Sequence, residues 1–221
     1  MENKIIKIYS HPRSGTNYLG ALLKENFYPT TNLGIAGQWG HWNHRATFKT
    51  PVKHGKLFGS HSFNLGDNQH PKIYIYRDGR PVCLSVWKSK NFNNINIKNI
   101  SFSEYLKYKL DWEGTPGIKC IPKNNIIQHW ERHVNTWMRY VENSDNIMVI
   151  KYEELVSQTE KTLNSIAEFY SLNYIDGFKN INSLVGPSPN SGKVDEWKKH
   201  YSKEDEEFFF KIIKNNKYLY K

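Results

Sequence analysis

A chain of 221 residues is short for two full catalytic domains and long enough for one domain that buries roughly 70 % of its unfolded surface. With 38 % apolar, 14 % aromatic and 24 % charged residues it carries too much core-forming material to stay disordered. The 31 Lys and Arg outnumber the 21 Asp and Glu, and the resulting charge of +10 attracts anions: nucleic acid, anionic lipid, or small phosphorylated and sulfated molecules.

Composition also sets expectations for compartment and partners. No stretch approaches the roughly 18 apolar residues of a membrane span, and Pro12 and Arg13 follow the first short apolar run where a signal peptide would continue. Neither membrane insertion nor secretion by that route is expected. Cys83 and Cys120 have no CxxC spacing and read as reduced thiols of a cytoplasmic protein. The aromatic and basic signature of an RNA-binding sheet is missing, as is a zinc knuckle, so no nucleic-acid partner is expected.

In chain order, Ile5 to Tyr9 is a β-rich run that stops at Ser10-His11-Pro12, and Thr16 to Asn26 carries apolar residues at helical spacing. Tyr28 to His54 has little periodicity and reads as a long irregular excursion. Strands are predicted over 56–60, 72–76 and 147–151, with Asp78 capping a helix through Val82, Leu84, Val86 and Trp87. Helices are predicted over 102–111, 126–141, 155–170 and from about Lys203, while 91–99 and 185–193 read as loops. Strands alternating with helices point to a parallel sheet covered on both faces, with residues 1–221 as a single domain.

Two strand-to-helix turns carry anion chemistry. In His11-Pro12-Arg13-Ser14-Gly15-Thr16-Asn17-Tyr18 the helix start offers unpaired N–H groups and a positive dipole end. Gly15 permits close backbone approach, Ser14 and Thr16 add hydroxyls, and Arg13 adds a forked cation suited to phosphate. The turn lacks the glycines and the Gly-Lys-Ser/Thr of a Walker A loop. Tyr76-Arg77-Asp78-Gly79-Arg80 repeats the logic, with Ser85 two turns into the following helix. Two grips on one sheet edge suit a ligand phosphorylated at two places; the plainer readings are a solvated Arg13 in an ordinary turn and an Arg77-Asp78 surface pair.

PRSGTNYL after the first strand and YRDGRPVCLS after a later one resemble the 5'-phosphosulfate loop and the 3'-phosphate motif of sulfotransferases that use 3'-phosphoadenosine 5'-phosphosulfate (PAPS). Three more segments resemble the family in the same order. They are the W..HV..W stretch Trp130 to Trp137, Tyr152-Glu153-Glu154-Leu155 with Ile166 to Phe169, and Gly192 to Ser202 with its Trp197-Lys198. The resemblance spans residues 5 to about 202 and implies a short parallel sheet flanked by helices, a P-loop nucleotide-kinase-like core, and sulfuryl transfer to a small-molecule acceptor.

By the same resemblance, Arg13 neutralises the 5' leaving group, Ser14, Gly15, Thr16 and Asn17 supply loop donors, and Arg77 and Ser85 hold the 3'-phosphate. Tyr18 stands where relatives stack an aromatic on adenine, although an aromatic there is also ordinary core, and Tyr152 matches the Tyr that contacts the base. The family's late Arg-Lys-Gly is here Asn190-Ser191-Gly192, which removes two expected phosphate contacts and leaves Lys193 as the candidate replacement.

The acceptor must lose a proton, and a neutral imidazole is the natural base. Among nine His, His61 directly follows a predicted strand, lies at the edge of both anion loops, and matches the family's base; the competing reading is a loop histidine that caps or packs. His11 is the second candidate. His129 and His133 have the i, i+4 spacing of a zinc pair but no HExxH, and no metal is expected. His41 and His44, with Trp39, Trp42, Phe48 and Phe92, are candidates to line an acceptor pocket. A magnesium- and ATP-dependent phosphotransferase on the same core, or a non-catalytic binder of anions or nucleic acid, are the alternatives. Sequence leaves the acceptor and the oligomeric state open.

Overall fold

The structure is a computed structural model and describes residues 6–28, 57–65, 70–89, 99–110, 124–181 and 194–219. Four parallel strands form one sheet: β1 (Ile6–Tyr9), β2 (Leu57–Ser60), β3 (Lys72–Tyr76) and β4 (Ile147–Lys151), in the order β2-β1-β3-β4. The helices are α1 (Thr16–Phe27), α2 (Gly79–Lys88), α3 (Phe102–Lys107), α4 (Ile126–Glu142), α5 (Tyr152–Ser157), α6 (Thr159–Tyr170) and α7 (Lys203–Ile213), with a 3-10 turn at Glu196–Lys199.

The pleat explains how four short strands carry two cores. On β3, Ile73 and Ile75 enter one cluster with Leu19, Leu22, Leu23, Leu155, Leu163 and Ile166 from α1, α5 and α6. Tyr74 points to the opposite face and joins Tyr9, Trp137 and Ile147. A third cluster, around Val82, Val86, Tyr105, Trp130 and Phe209, binds α2, α3, α4 and α7 to one another. Each fully buried Leu or Ile contributes roughly 1.5–3 kcal/mol relative to exposure.

Two expected helices differ. The 102–111 helix stops at Lys107, where Tyr108 turns extended at φ −67° and ψ 137°. The 155–170 helix is two, α5 and α6, broken at Gln158 with φ −136° and ψ 50°. Hydroxyls at the break compete for its carbonyls: Ser157 Oγ donates to Glu153 O at 2.9 Å and Thr159 Oγ1 to Leu155 O at 2.9 Å. Asp78 caps α2 as expected, its side chain accepting from Arg80 N at 2.8 Å.

Strand order places the functional edge. From β1 the chain goes to β2 on one side, then crosses to β3 on the other, so the carboxyl ends of β1 and β3 flank a topological switch point. In open parallel sheets that crevice is where ligands bind. Arg13 follows β1 and Arg77 follows β3.

Candidate active site

All four strands end at this edge and hand over to segments singled out by sequence: β1 to Ser10–Gly15, β2 to His61, β3 to Arg77 and β4 to Tyr152. Gly15 caps α1 in the left-handed region at φ +100°, which only glycine adopts readily. A Cβ there would also lie 2.8 Å from Tyr152 Cε2 and 3.3 Å from Ile75 Cδ1. Arg13 itself takes φ 68°, a region costing a non-glycine residue about 1–2 kcal/mol, which points to local constraint at a site.

The two arginines share one site. Arg77 is 2 % exposed, and its guanidinium lies 4.5 Å from the centre of the Tyr152 ring. Arg13 donates through Nε to Ser85 Oγ at 2.9 Å, which joins the first turn directly to α2. Burial lowers the pKa of Arg13, and the neighbouring charge of Arg77 lowers it further. Burial likewise lowers Arg77, opposed by Tyr152, Glu153 and Asp78. Two desolvated like charges brought together form a site that an anion would stabilise.

The orphan groups fit a phosphorylated ligand. The first N–H groups of α1 open at the turn, and the Ser14 hydroxyl, 0 % exposed, has no hydrogen-bond partner among the described residues. The chain therefore offers donors, two cations and a cradle that a Cβ at residue 15 would fill. Tyr18 is half-buried, its ring 6.4 Å from that of Tyr152 and inclined at 72°, and packs partly against the α1 core. Asn17 is the second residue of α1. Asn190, Ser191, Gly192 and Lys193, like His41, His44, Trp39, Trp42, Phe48, Phe92 and Cys120, lie outside the described residues.

His61 is 5 % exposed, with Nδ1 at 2.8 Å from the carbonyl of Ser10. A carbonyl only accepts, so Nδ1 carries the proton and the neutral ring bears its lone pair at Nε2, the form a general base requires. His11 is differently engaged. Its Nδ1 donates to Pro12 O at 2.9 Å, and Nε2 faces His129 Nδ1 at 3.0 Å. Burial, with the neighbouring His129 and His133, holds the His11 pKa well below its ordinary value. The pairing ties up the second candidate base.

Helix α4 supports the segments that follow β1, β2 and β3. Asn125 caps it in a box with Gln128, and from one face Trp130 Nε1 donates to Arg77 O at 3.2 Å. Trp137 Nε1 donates to Ser62 O at 2.9 Å and Tyr140 Oη to Phe63 O at 3.3 Å, while His129 meets His11. His133 Nδ1 meets Tyr74 Oη at 3.1 Å, and burial holds its pKa well below the ordinary value. His129 and His133 thus serve packing and hydrogen bonding, and no group of His, Cys, Asp or Glu arranged for a metal occurs among the described residues. Sequence reading missed Ser10 and Glu153, whose Oε1 accepts from Asp78 N at 3.0 Å.

Comparison with known proteins agrees with this geometry. The sulfotransferase domain family matches residues 64–220, more than half of the chain. The chain belongs to the sulfotransferase domain family. Human sulfotransferase 2A1 is 25 % identical over 181 residues, covering 73 % of this chain and 57 % of that protein. The guinea-pig 3-beta-hydroxysteroid sulfotransferase is 23 % identical over 176 residues, covering 72 % and 56 %. The chain thus spans little more than half the length of these relatives. Among solved structures, mouse sulfotransferase SULT7A1 complexed with PAP superposes with a TM-score of 0.61 at 17 % identity, covering 96 % of this chain and 83 % of that one. Retinol dehydratase in complex with androsterone and inactive cofactor PAP gives 0.55 at 14 % identity, covering 96 % and 80 %. These likenesses establish the fold: a parallel four-stranded sheet flanked by helices with a P-loop-like core.

Proposed function

We propose that the protein transfers the sulfuryl group of PAPS to a hydroxyl or amine of a small-molecule acceptor, with residues 1–221 acting as one sulfotransferase-like domain. The observation that carries this reading is the buried Arg77 guanidinium together with the part-buried one of Arg13, close enough to depress Arg13 and set on either side of the sheet's switch point. Its partner is the α1 start, with Gly15 cradling the approach and the orphan Ser14 hydroxyl.

In this reading Arg13, Ser14, Thr16 and Asn17 hold the 5' end of the donor, Arg77 and Ser85 the 3'-phosphate, and Tyr18 and Tyr152 the base, with Gly192 and Lys193 as further donor-binding residues, Lys193 replacing a missing phosphate contact. His61 accepts the acceptor's proton at Nε2 as the new S–O or S–N bond forms. Arg13 neutralises the charge left on the bridging oxygen as the old S–O bond breaks in line. The bound nucleotide supplies the activated sulfuryl group and leaves as 3',5'-adenosine bisphosphate (PAP).

A small-molecule acceptor accords with relatives named for hydroxysteroids and with the androsterone bound to retinol dehydratase. A cytoplasmic location accords with relatives named cytosolic sulfotransferases in Arabidopsis thaliana. No helix among the described residues is long and apolar enough to cross a membrane. Calorimetric titration with PAP tests the reading: saturable binding in the absence of metal is expected. Indifference to PAP together with binding of magnesium-ATP would replace it with phosphoryl transfer.

A further inference from the structure

Ser10 is 0 % exposed and lies between the proposed base and the donor loop. Its amide donates to Ser60 O at 3.1 Å, and its carbonyl accepts from His61 Nδ1 at 2.8 Å. Its hydroxyl bonds the hydroxyl of Thr16, the first residue of α1, and also stands 3.3 Å from His61 Nδ1. All three polar groups of one residue thus join the end of β2 to the start of α1.

Chemistry gives this chain a direction. The Nδ1 proton points to Ser10, because the carbonyl beside it can only accept. A hydroxyl at the same nitrogen is therefore left to accept from it and to donate its own proton to Thr16 Oγ1. Thr16 then has its hydroxyl proton to give outward, toward an anion at the helix start. The reverse polarity would place a hydroxyl proton against the N–H of the imidazole.

We infer that Ser10 is a positioning residue that couples the donor site to the base: an anion seated at Thr16 aligns the hydroxyl chain through Ser10 and fixes the His61 ring with its lone pair at Nε2. The inference rests on the sulfotransferase reading. It predicts that His61 senses nucleotide binding that takes place at Thr16, through hydroxyls and not through direct contact.

The experiment uses the full chain with 15N-labelled histidine, PAP plus inorganic sulfate as the probe, and calorimetry to measure binding. In the unaltered protein, saturation with the probe should shift the His61 imidazole nitrogen resonances. Ser10→Ala should keep PAP affinity within about threefold, since the residue makes no proposed contact with the nucleotide, yet lose the His61 shift. Ser10→Thr, which retains the hydroxyl, should restore it, and Thr16→Val should abolish it from the other end of the chain. An undiminished His61 shift in both Ser10→Ala and Thr16→Val would overturn the coupling. Failure of the unaltered protein to bind PAP would instead overturn the sulfotransferase reading, so the two failures are distinct. If Ser10→Ala does not fold, the Ser10→Thr and Thr16→Val pair decides alone, through shift retained against shift lost at folded thermal midpoints.

Discussion

The Nε of Arg13 bonds Ser85 Oγ at 2.9 Å, so the turn after β1 is tied to the helix after β3 across 72 residues of sequence. The bond aims a guanidinium into the switch-point crevice beside a second one, Arg77, and the two like charges depress Arg13 on top of its burial. An arrangement that disfavours the free protein and suits a bound anion is what a binding site for a polyanionic nucleotide requires.

That relationship predicts opposite effects on stability and function. Arg77→Ala should weaken PAP binding about a hundredfold, the scale of removing one partner from a buried charged contact. Arg13→Ala should lower turnover by about two to three orders of magnitude, because its charge is needed most as the bridging oxygen becomes anionic. Arg13→Ala should not lower the thermal midpoint of the ligand-free protein, since it relieves repulsion from Arg77, whereas Arg77→Ala also gives up the contacts of a buried side chain with Tyr152, Glu153 and Asp78 and should lower it by a few degrees. Calorimetry and thermal melts with and without PAP check both halves. A large loss of ligand-free stability in Arg13→Ala, or undiminished PAP binding in Arg77→Ala, would show that the arginines are structural.

Two glycines separate backbone strain from packing. Gly15→Ala meets φ +100° and places a Cβ 2.8 Å from Tyr152 Cε2, so Tyr152 must leave its station beside Arg77. PAP affinity should fall more than about tenfold, as the cradle and the ring over Arg77 are lost together. Gly79→Ala instead sets a Cβ 2.6 Å from Trp130 Cε3 and 2.8 Å from Phe209 Cζ, at the start of α2. Such overpacking costs about 1–3 kcal/mol, or roughly 3–10 °C of thermal midpoint in a chain of this size. Thermal melts and PAP titrations of both variants should therefore show contrasting patterns, binding loss in the first and melting loss in the second.

These contacts mark where sequence is legible. Strand ends, the capping Asp78 and the placement of Arg13, Arg77, His61 and Tyr152 at one edge follow from local pattern, because each sits within a few residues of the end of a β-rich run. Ser10 stayed hidden since a serine ending a strand has no signature; only the register of β1 on β2, Tyr9 against Ser60, brings it to His61. The i, i+4 pair His129 and His133 lacks HExxH, which argues against a metal, but spacing alone cannot show that His11 and Tyr74 meet them from other elements. The break at Gln158 was equally hidden, since apolar periodicity runs through it while the hydroxyls of Ser157 and Thr159 redirect the carbonyls.

The buried imidazoles set the response to acid. His11 and His133 sit well below their ordinary pKa, chiefly through burial and then through neighbouring histidines, so the fold holds both neutral. The unfolded chain takes up their protons near the usual value of about 6.5, and between that pH and the depressed folded values it binds more protons than the native state. Their stabilising contribution is thus complete above about 6.5 and is lost as pH falls below it, at about 1.4 kcal/mol per pH unit for each ring. Depressed carboxylates such as Glu104 and Glu142 act at lower pH, within the ordinary carboxylate range, and leave this window to the histidines. From pH 7.5 to 5.5 the two rings together should cost about 2–3 kcal/mol, a fall of roughly 5–10 °C in thermal midpoint. Scanning calorimetry across that range checks the slope, and His133→Asn, which cannot take up the proton, should remove about half of it. A midpoint flat between pH 7.5 and 5.5 would mean that the cluster already carries a proton in the native protein.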